Sequence, residues 1–348
     1  MMWSPVGALR VGALLLLTSA ELGAQVSSVA AALQRHGVQF DSSELAAVER
    51  GEVVVRTLPT REMRDVAVLG IVRVTVARHV YLRRVQDFRT WLRSPTRVRL
   101  GIFGDPAAPG DVAELQVSRQ DVNELRKCRP GSCSSKLPAV EMQRARDQVD
   151  WRADDRQERV TALTRQRLLQ FVAEYRAGGN ASLPTYDDRA PVTAGDAFLA
   201  VLAQSTYLNH SAPAIAHYRR SYPRERPAGV ADVIFWSEDV APRLRPILSL
   251  MHAVVYTPPD VSGTTVVISR QLYANHYFEA AMELRHVIDR EVAEEAASAF
   301  LVSERRYRFD NLPRGGILNI RGRAINGLRD QLMADLRRER ATTELPVR

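Results

Sequence analysis

The sequence predicts an α+β fold: an antiparallel β-meander closed by a long C-terminal helix, with an N-terminal α/β portion and a long charged helix before it. Three observations carry that prediction. Five strand candidates succeed one another between residues 231 and 309. The fourth alternates well, with Phe278, Ala280, Met282, Leu284 and Ile288 on one face and Glu279, Glu283 and Arg285 on the other. Residues 320–340 then switch to helical spacing, with Ala324, Leu328, Leu332 and Leu336 four apart. Residues 138–177 are charged and helix-like, and their apolar positions thicken at Val160, Leu163, Leu168, Phe171, Val172 and Tyr175.

The remaining elements follow in chain order. An amphipathic stretch over 29–49 breaks at Gly37 and restarts at Asp41, whose spacing to Glu44 is that of a capping box; Gly51 closes it. Strands are predicted over 52–56 and 66–76, the second with Val72, Val74 and Val76 on one face. Tyr81, Val85, Phe88 and Leu92 lie at helical spacing over 79–92. Residues 98–103 and 112–117 read as strands around a Pro/Gly-rich turn, and 118–127 as a helix. Thr193 caps a helix through Gln204, and Pro213 opens another through Arg219. The meander strands fall over 231–236, 247–257, 264–271, 275–288 and 299–309.

The opening residues carry an address. Arg10 precedes the apolar run from Val11 to Leu17, and small residues follow at Thr18, Ser19, Ala20, Gly23 and Ala24. This is the order of a secretory signal peptide, cleaved after Ala20 or Ala24. The apolar run is shorter than the roughly 20 residues of a spanning helix, and no later run approaches that length. The sequence therefore predicts an exported chain, periplasmic or secreted, with no transmembrane span after cleavage. It divides into a signal peptide over 1–24, an N-terminal α+β region over 25–180 and a C-terminal sheet plus helix over 181–348. One continuous domain after the signal is the alternative.

Lys127 and Lys136 are the only lysines, so arginine supplies 46 of the 48 basic residues behind the net charge of +8. The arginines are interleaved with acids, as between Arg152 and Arg159, which describes solvated helix faces and argues against a nucleic-acid partner. The only cysteines, Cys128 and Cys133, flank a Pro130-Gly131 turn. In an oxidising compartment they form a local disulfide staple, since a metal site wants further ligands and redox pairs are usually closer.

Familiar catalytic signatures are absent, and the sequence calls for no cofactor and no metal. Whether the protein is an enzyme stays open. The richest polar cluster runs from Tyr273 through His276 and Tyr277 to Glu279, residue types that supply general bases, polarisers and orienting groups. On a strand, His276 would point away from Tyr273, Tyr277 and Glu279. His252, with His210 and His217, would complete a three-histidine group only if the fold brought them together. Arg314, Arg321 and Arg323, beside glycines at the start of the last helix, form an anion-binding pattern.

The order of elements over about residues 230–340 resembles helix-grip, lipid-transfer-like domains. That resemblance rests on element order and on no motif. It implies an apolar or amphipathic ligand held between a curved sheet and the C-terminal helix. Two other expectations compete with it. One is an exported hydrolase working through the Tyr273–Glu279 segment and His252. The other is a structural or partner-binding protein using the charged helix near residues 147–176.

Overall fold

The structure is a computed structural model. It describes residues 33–34, 40–241, 244–259, 263–290, 297–312 and 319–344. The signal peptide expected over 1–24 and the candidate Arg314 lie outside the described residues.

The capping box forms as expected: Asp41 accepts from the Glu44 amide at 2.9 Å and donates its own amide to Glu44 Oε2 at 3.0 Å. It starts α1 (Ser42–Glu49). Strands β1 (Val54–Leu58) and β2 (Asp65–Val74) follow, then α2 (Arg78–Gln86), α3 (Phe88–Trp91) and β3 (Arg97–Ile102). The Asp87 side chain caps α3 and so splits the single helix expected over 79–92. Next come α4 (Arg119–Leu125), α5 (Ala139–Gln148) and α6 (Arg156–Gly178), the short pair β4 (Thr185–Tyr186) and β5 (Val192–Thr193), and α7 (Ala194–Leu202), α8 (Thr206–Ser211) and α9 (Pro213–Ser221). The meander is β6 (Ala231–Asp239), β7 (Ile247–Tyr256), β8 (Thr264–Ala274), β9 (Phe278–Asp289) and β10 (Ala299–Phe309), and α10 (Ile320–Glu344) ends the described chain.

Two sequence expectations change. Residues 112–117 form no strand. Their backbone is taken up by α6 instead: Arg165 donates to the Leu115 carbonyl at 3.0 Å, Gln157 to the Val117 carbonyl at 2.9 Å, and the Val117 amide to Thr161 Oγ1 at 3.2 Å. Residues 138–177 form two helices rather than one. The break falls where Asp150 accepts the Arg152 amide at 3.0 Å, a local bond that competes with the helix ladder.

One eight-stranded sheet organises the molecule, in the order β1-β2-β10-β9-β8-β7-β6-β3, with every pair antiparallel. It draws strands from both sides of residue 180. Alternation sends Ile71, Val254, Ile268, Met282, Leu284 and Val302 into a core shared with α6, α7, α8 and α9. The opposite face sends Val68, Val72, Val267, Val287 and Leu301 toward α2 and α10. The polar face expected on β9 is therefore covered. Arg285 bonds Tyr81 of α2 at 2.8 Å and Glu339 of α10 at 2.5 Å, and Arg305 bonds Asp335 of α10 at 2.5 Å.

The C-terminal helix rests on β2 and β1. These strands come from outside the 230–340 stretch that resembles a helix-grip domain. The contact is close. A Cβ at Gly70 of β2 would lie 2.7 Å from Leu336 Cδ1 and 3.0 Å from Leu332 Cδ2. No described helix is long and apolar enough to cross a membrane.

Candidate functional site: a buried arginine, histidine and tyrosine layer

A second buried polar layer lies on the other face of the sheet, beneath α6 and α9. Alternation along β8 puts Val266, Ile268 and Arg270 on one face, so Arg270 enters the core as its apolar neighbours do. On α9 the stripe of Ile215, Ala216 and Arg219 carries a second arginine inward. Both side chains are fully buried, at 0 % exposure. Tyr175 of α6 and His252 of β7 meet them there.

Arg219 reaches β7 with both terminal nitrogens: Nη1 lies 2.9 Å from His252 Nδ1, and Nη2 donates to the His252 carbonyl at 3.0 Å. The Tyr175 hydroxyl is also 2.9 Å from His252 Nδ1. Arginine nitrogens only donate, so Nδ1 is an acceptor and the imidazole proton sits on Nε2. That nitrogen faces Asp232 Oδ1 at 3.8 Å, beyond hydrogen-bond reach. Burial, then the Arg219 charge, pushes His252 down to about 3. Burial works to raise Asp232, but His252, Arg226 and Arg219 outweigh it and hold the carboxyl below its usual range.

Arg270 donates through Nη1 to Asn180 Oδ1 at 2.5 Å and lies 3.9 Å over the Phe198 ring. Burial lowers both arginines, Arg219 to about 10, which leaves it cationic at neutral pH. Three tyrosine rings also border the arginines. Tyr222 stacks on Tyr175 at 4.6 Å and meets Tyr218 edge-on at 5.6 Å. Among the described residues, Arg219 Nε, Arg270 Nε and Nη2, and His252 Nε2 are buried without a hydrogen-bond partner.

The residues singled out in the sequence lie elsewhere, apart from His252. Residues 275–277 are the turn between β8 and β9 rather than a strand, and Tyr277 takes φ +65° there. His276 faces Asp121 Oδ1 at 2.9 Å and the Ser134 carbonyl at 3.1 Å. Asp121 also accepts from Arg245 at 2.9 Å. Glu279 is chelated by Arg64 at 2.8 and 2.9 Å, and burial raises its carboxyl against the pull of Arg64, Lys136 and Arg308. Tyr273 packs beside Tyr186, ring centroids 6.2 Å apart. The Tyr277 hydroxyl accepts the Arg245 amide at 2.9 Å. These contacts lock the segment in place, and the carboxylate they bring to His276 is Asp121, held in turn by Arg245, rather than Glu279.

Arg321 is consumed by the Met63 carbonyl at 2.9 Å and Thr60 Oγ1 at 3.2 Å, and Arg323 is exposed. No group of three metal-ligating side chains forms among the described residues. Cys128 and Cys133 are joined in a disulfide. Open pockets of about 360 Å³ beside Phe171 and about 410 Å³ beside Met63 are not lined by α10.

Arg219 and Arg270 belong to no sequence motif, and Tyr175 reads in the sequence as one more apolar position of its helix. The available signal was charge in an apolar register: Arg270 stands two residues after Ile268 in an inward-facing series. No known family, curated protein or solved structure matches the chain.

Proposed function

We propose that the protein is an exported binding protein for a small amphipathic ligand with an acidic head group, taken up between the sheet and helices α6 and α9. One observation carries this reading. Two guanidinium groups are wholly buried, and neither is hydrogen-bonded to a carboxylate among the described residues. A buried ion costs several kcal/mol unless it is paired, and unpartnered buried donors ask for a missing acceptor. An acidic head supplies that acceptor, and the rings of Tyr175, Tyr218 and Tyr222 offer apolar contact to the rest of the molecule.

Binding accounts for this layer better than catalysis does. The His252 lone pair is engaged by two donors, so the imidazole has no free base to offer. Burial also raises the hydroxyls of Tyr175 and Tyr222, away from nucleophilic use. Export follows from the order of residues 1–24, and a disulfide is compatible with it.

Native mass spectrometry on protein isolated mildly from its own host tests the reading. A retained acidic compound, released on denaturation, is expected. Protein at its bare sequence mass would count against binding. N-terminal sequencing of the same sample should begin at Glu21 or Gln25; a start at Met1 would remove the export part.

A further inference from the structure

We infer that the acid group docks on the side edge of Arg270, through the paired Nε–H and Nη2–H donors. This rests on the binding reading above and assigns its anchor.

A guanidinium has two edges that can take an oxyanion. Arg270 has already committed Nη1, to Asn180 Oδ1 at 2.5 Å and to the Arg219 carbonyl at 3.5 Å. One face of the group lies over Phe198. What remains is the side edge, where the Nε–H and Nη2–H bonds run parallel. Both of those nitrogens are buried and have no partner among the described residues. Parallel N–H pairs match the two oxygens of a carboxylate, sulfate or phosphate group, with strength and direction that a single ammonium does not provide.

The edge is held in a fixed orientation. The Asn180 amide donates to the carbonyls of Arg219 at 3.2 Å and Arg220 at 2.7 Å, which fixes the oxygen that Arg270 binds. The unpartnered groups nearby include two more donors, Arg219 Nε and the protonated His252 Nε2, and one acceptor, Asp232 Oδ2, which forms an ion pair with Arg226 at 3.2 Å. With that carboxylate already paired, an acceptor-only group suits the free donors of the two arginines, and a cation does not. The second guanidinium adds positive charge from the same side of the sheet, which favours an anion over a neutral carbonyl.

The test compares the full-length mature protein with Arg270→Lys and with Arg323→Ala, a change at an exposed arginine. Thermal unfolding is followed against phosphate, sulfate and acetate at constant ionic strength, so that general salt effects on a cationic chain cancel. The wild type and R323A should rise saturably with at least one of the three, and the responding anion identifies the class of head group. R270K keeps the charge but loses the fork, and its midpoint concentration should increase about tenfold or more.

Equal responses from R270K and the wild type would overturn the Arg270 assignment while leaving the binding reading intact. No saturable response to any anion would also overturn it; the host-derived mass measurement then judges the binding reading separately. A variant-free measurement covers the case in which R270K fails to fold. Selenate soaked into wild-type crystals should give an anomalous peak within about 4 Å of Arg270 Cζ, and its absence there would refute the assignment.

Discussion

His252 sits in the core with its Nδ1 lone pair between the Tyr175 hydroxyl and Arg219 Nη1, both at 2.9 Å. Only the neutral ring fits that arrangement. Folding holds the imidazole at about 3, whereas the unfolded chain releases it to its ordinary 6.5. The unfolded state therefore binds the extra proton first as pH falls. The contribution to stability is complete above 6.5 and is lost on acidification toward about 3, at about 1.4 kcal/mol per pH unit. By pH 5 the wild type should have lost about 2 kcal/mol that His252→Gln does not lose. Urea titrations of both proteins at pH 7.5 and 5 check this; parallel losses would show that His252 is not the group responsible. Tyr175→Phe removes one of the two donors and should cost about 1 kcal/mol at neutral pH. Of this layer only His252 was legible as a candidate in the sequence. Its partners come from α6, α9 and β8, and which of them converge depends on pairings that residue patterns do not encode. The Tyr273–Glu279 segment drew attention for its composition, but a tight turn placed its side chains against separate partners.

Gly70 sets how closely α10 approaches β2. Leu332 and Leu336 are fully buried over it, and burying each stabilises the fold by about 1.5–3 kcal/mol. Gly70→Ala should destabilise by about 1–3 kcal/mol through overpacking, and Leu336→Ala by about 2–5 kcal/mol through the cavity it leaves. Together they should cost less than the sum, because the truncated leucine makes room for the new methyl. Additive losses in urea unfolding would mean that the helix sits further from the sheet. Elements of this kind were readable in the sequence wherever each carries its own period. Strand β10 spans the expected 299–309, α10 starts at the expected Ile320, and β7 begins at the expected Ile247. Residues 112–117 show the limit. Val112 and Leu115 are buried as a strand's apolar residues would be, but α6 side chains take the backbone groups that a neighbouring strand would need. Local pattern reports burial, and it does not report which partner supplies the hydrogen bonds.

At the scale of the molecule, the sheet joins the chain's two halves. Strand β2 pairs with β10 over ten residue positions, from Ala299 opposite Val74 to Arg308 opposite Asp65. Arg308 also bonds Asp65 at 2.9 and 3.0 Å. The disulfide loop is tied into the same body. The Gly131 amide donates to the Asp187 carbonyl at 2.7 Å, the Cys133 amide to the Asp188 carbonyl at 3.1 Å, and the Lys136 amide to the Asn275 carbonyl at 2.8 Å. The loop therefore bridges the β4–β5 connection and the β8–β9 turn instead of standing apart, so its stability is coupled to that of the sheet. Reduction, or a double Cys→Ser change at 128 and 133, relaxes a short loop in the unfolded chain and should remove about 2 kcal/mol. Because the loop is knitted to the sheet, that loss should move one cooperative urea transition to lower concentration, with tryptophan fluorescence and far-UV circular dichroism still coincident. An early separate phase confined to the reduced protein would mean that the loop unfolds by itself. Two phases in the oxidised protein would mean that the halves on either side of residue 180 unfold independently despite their shared sheet.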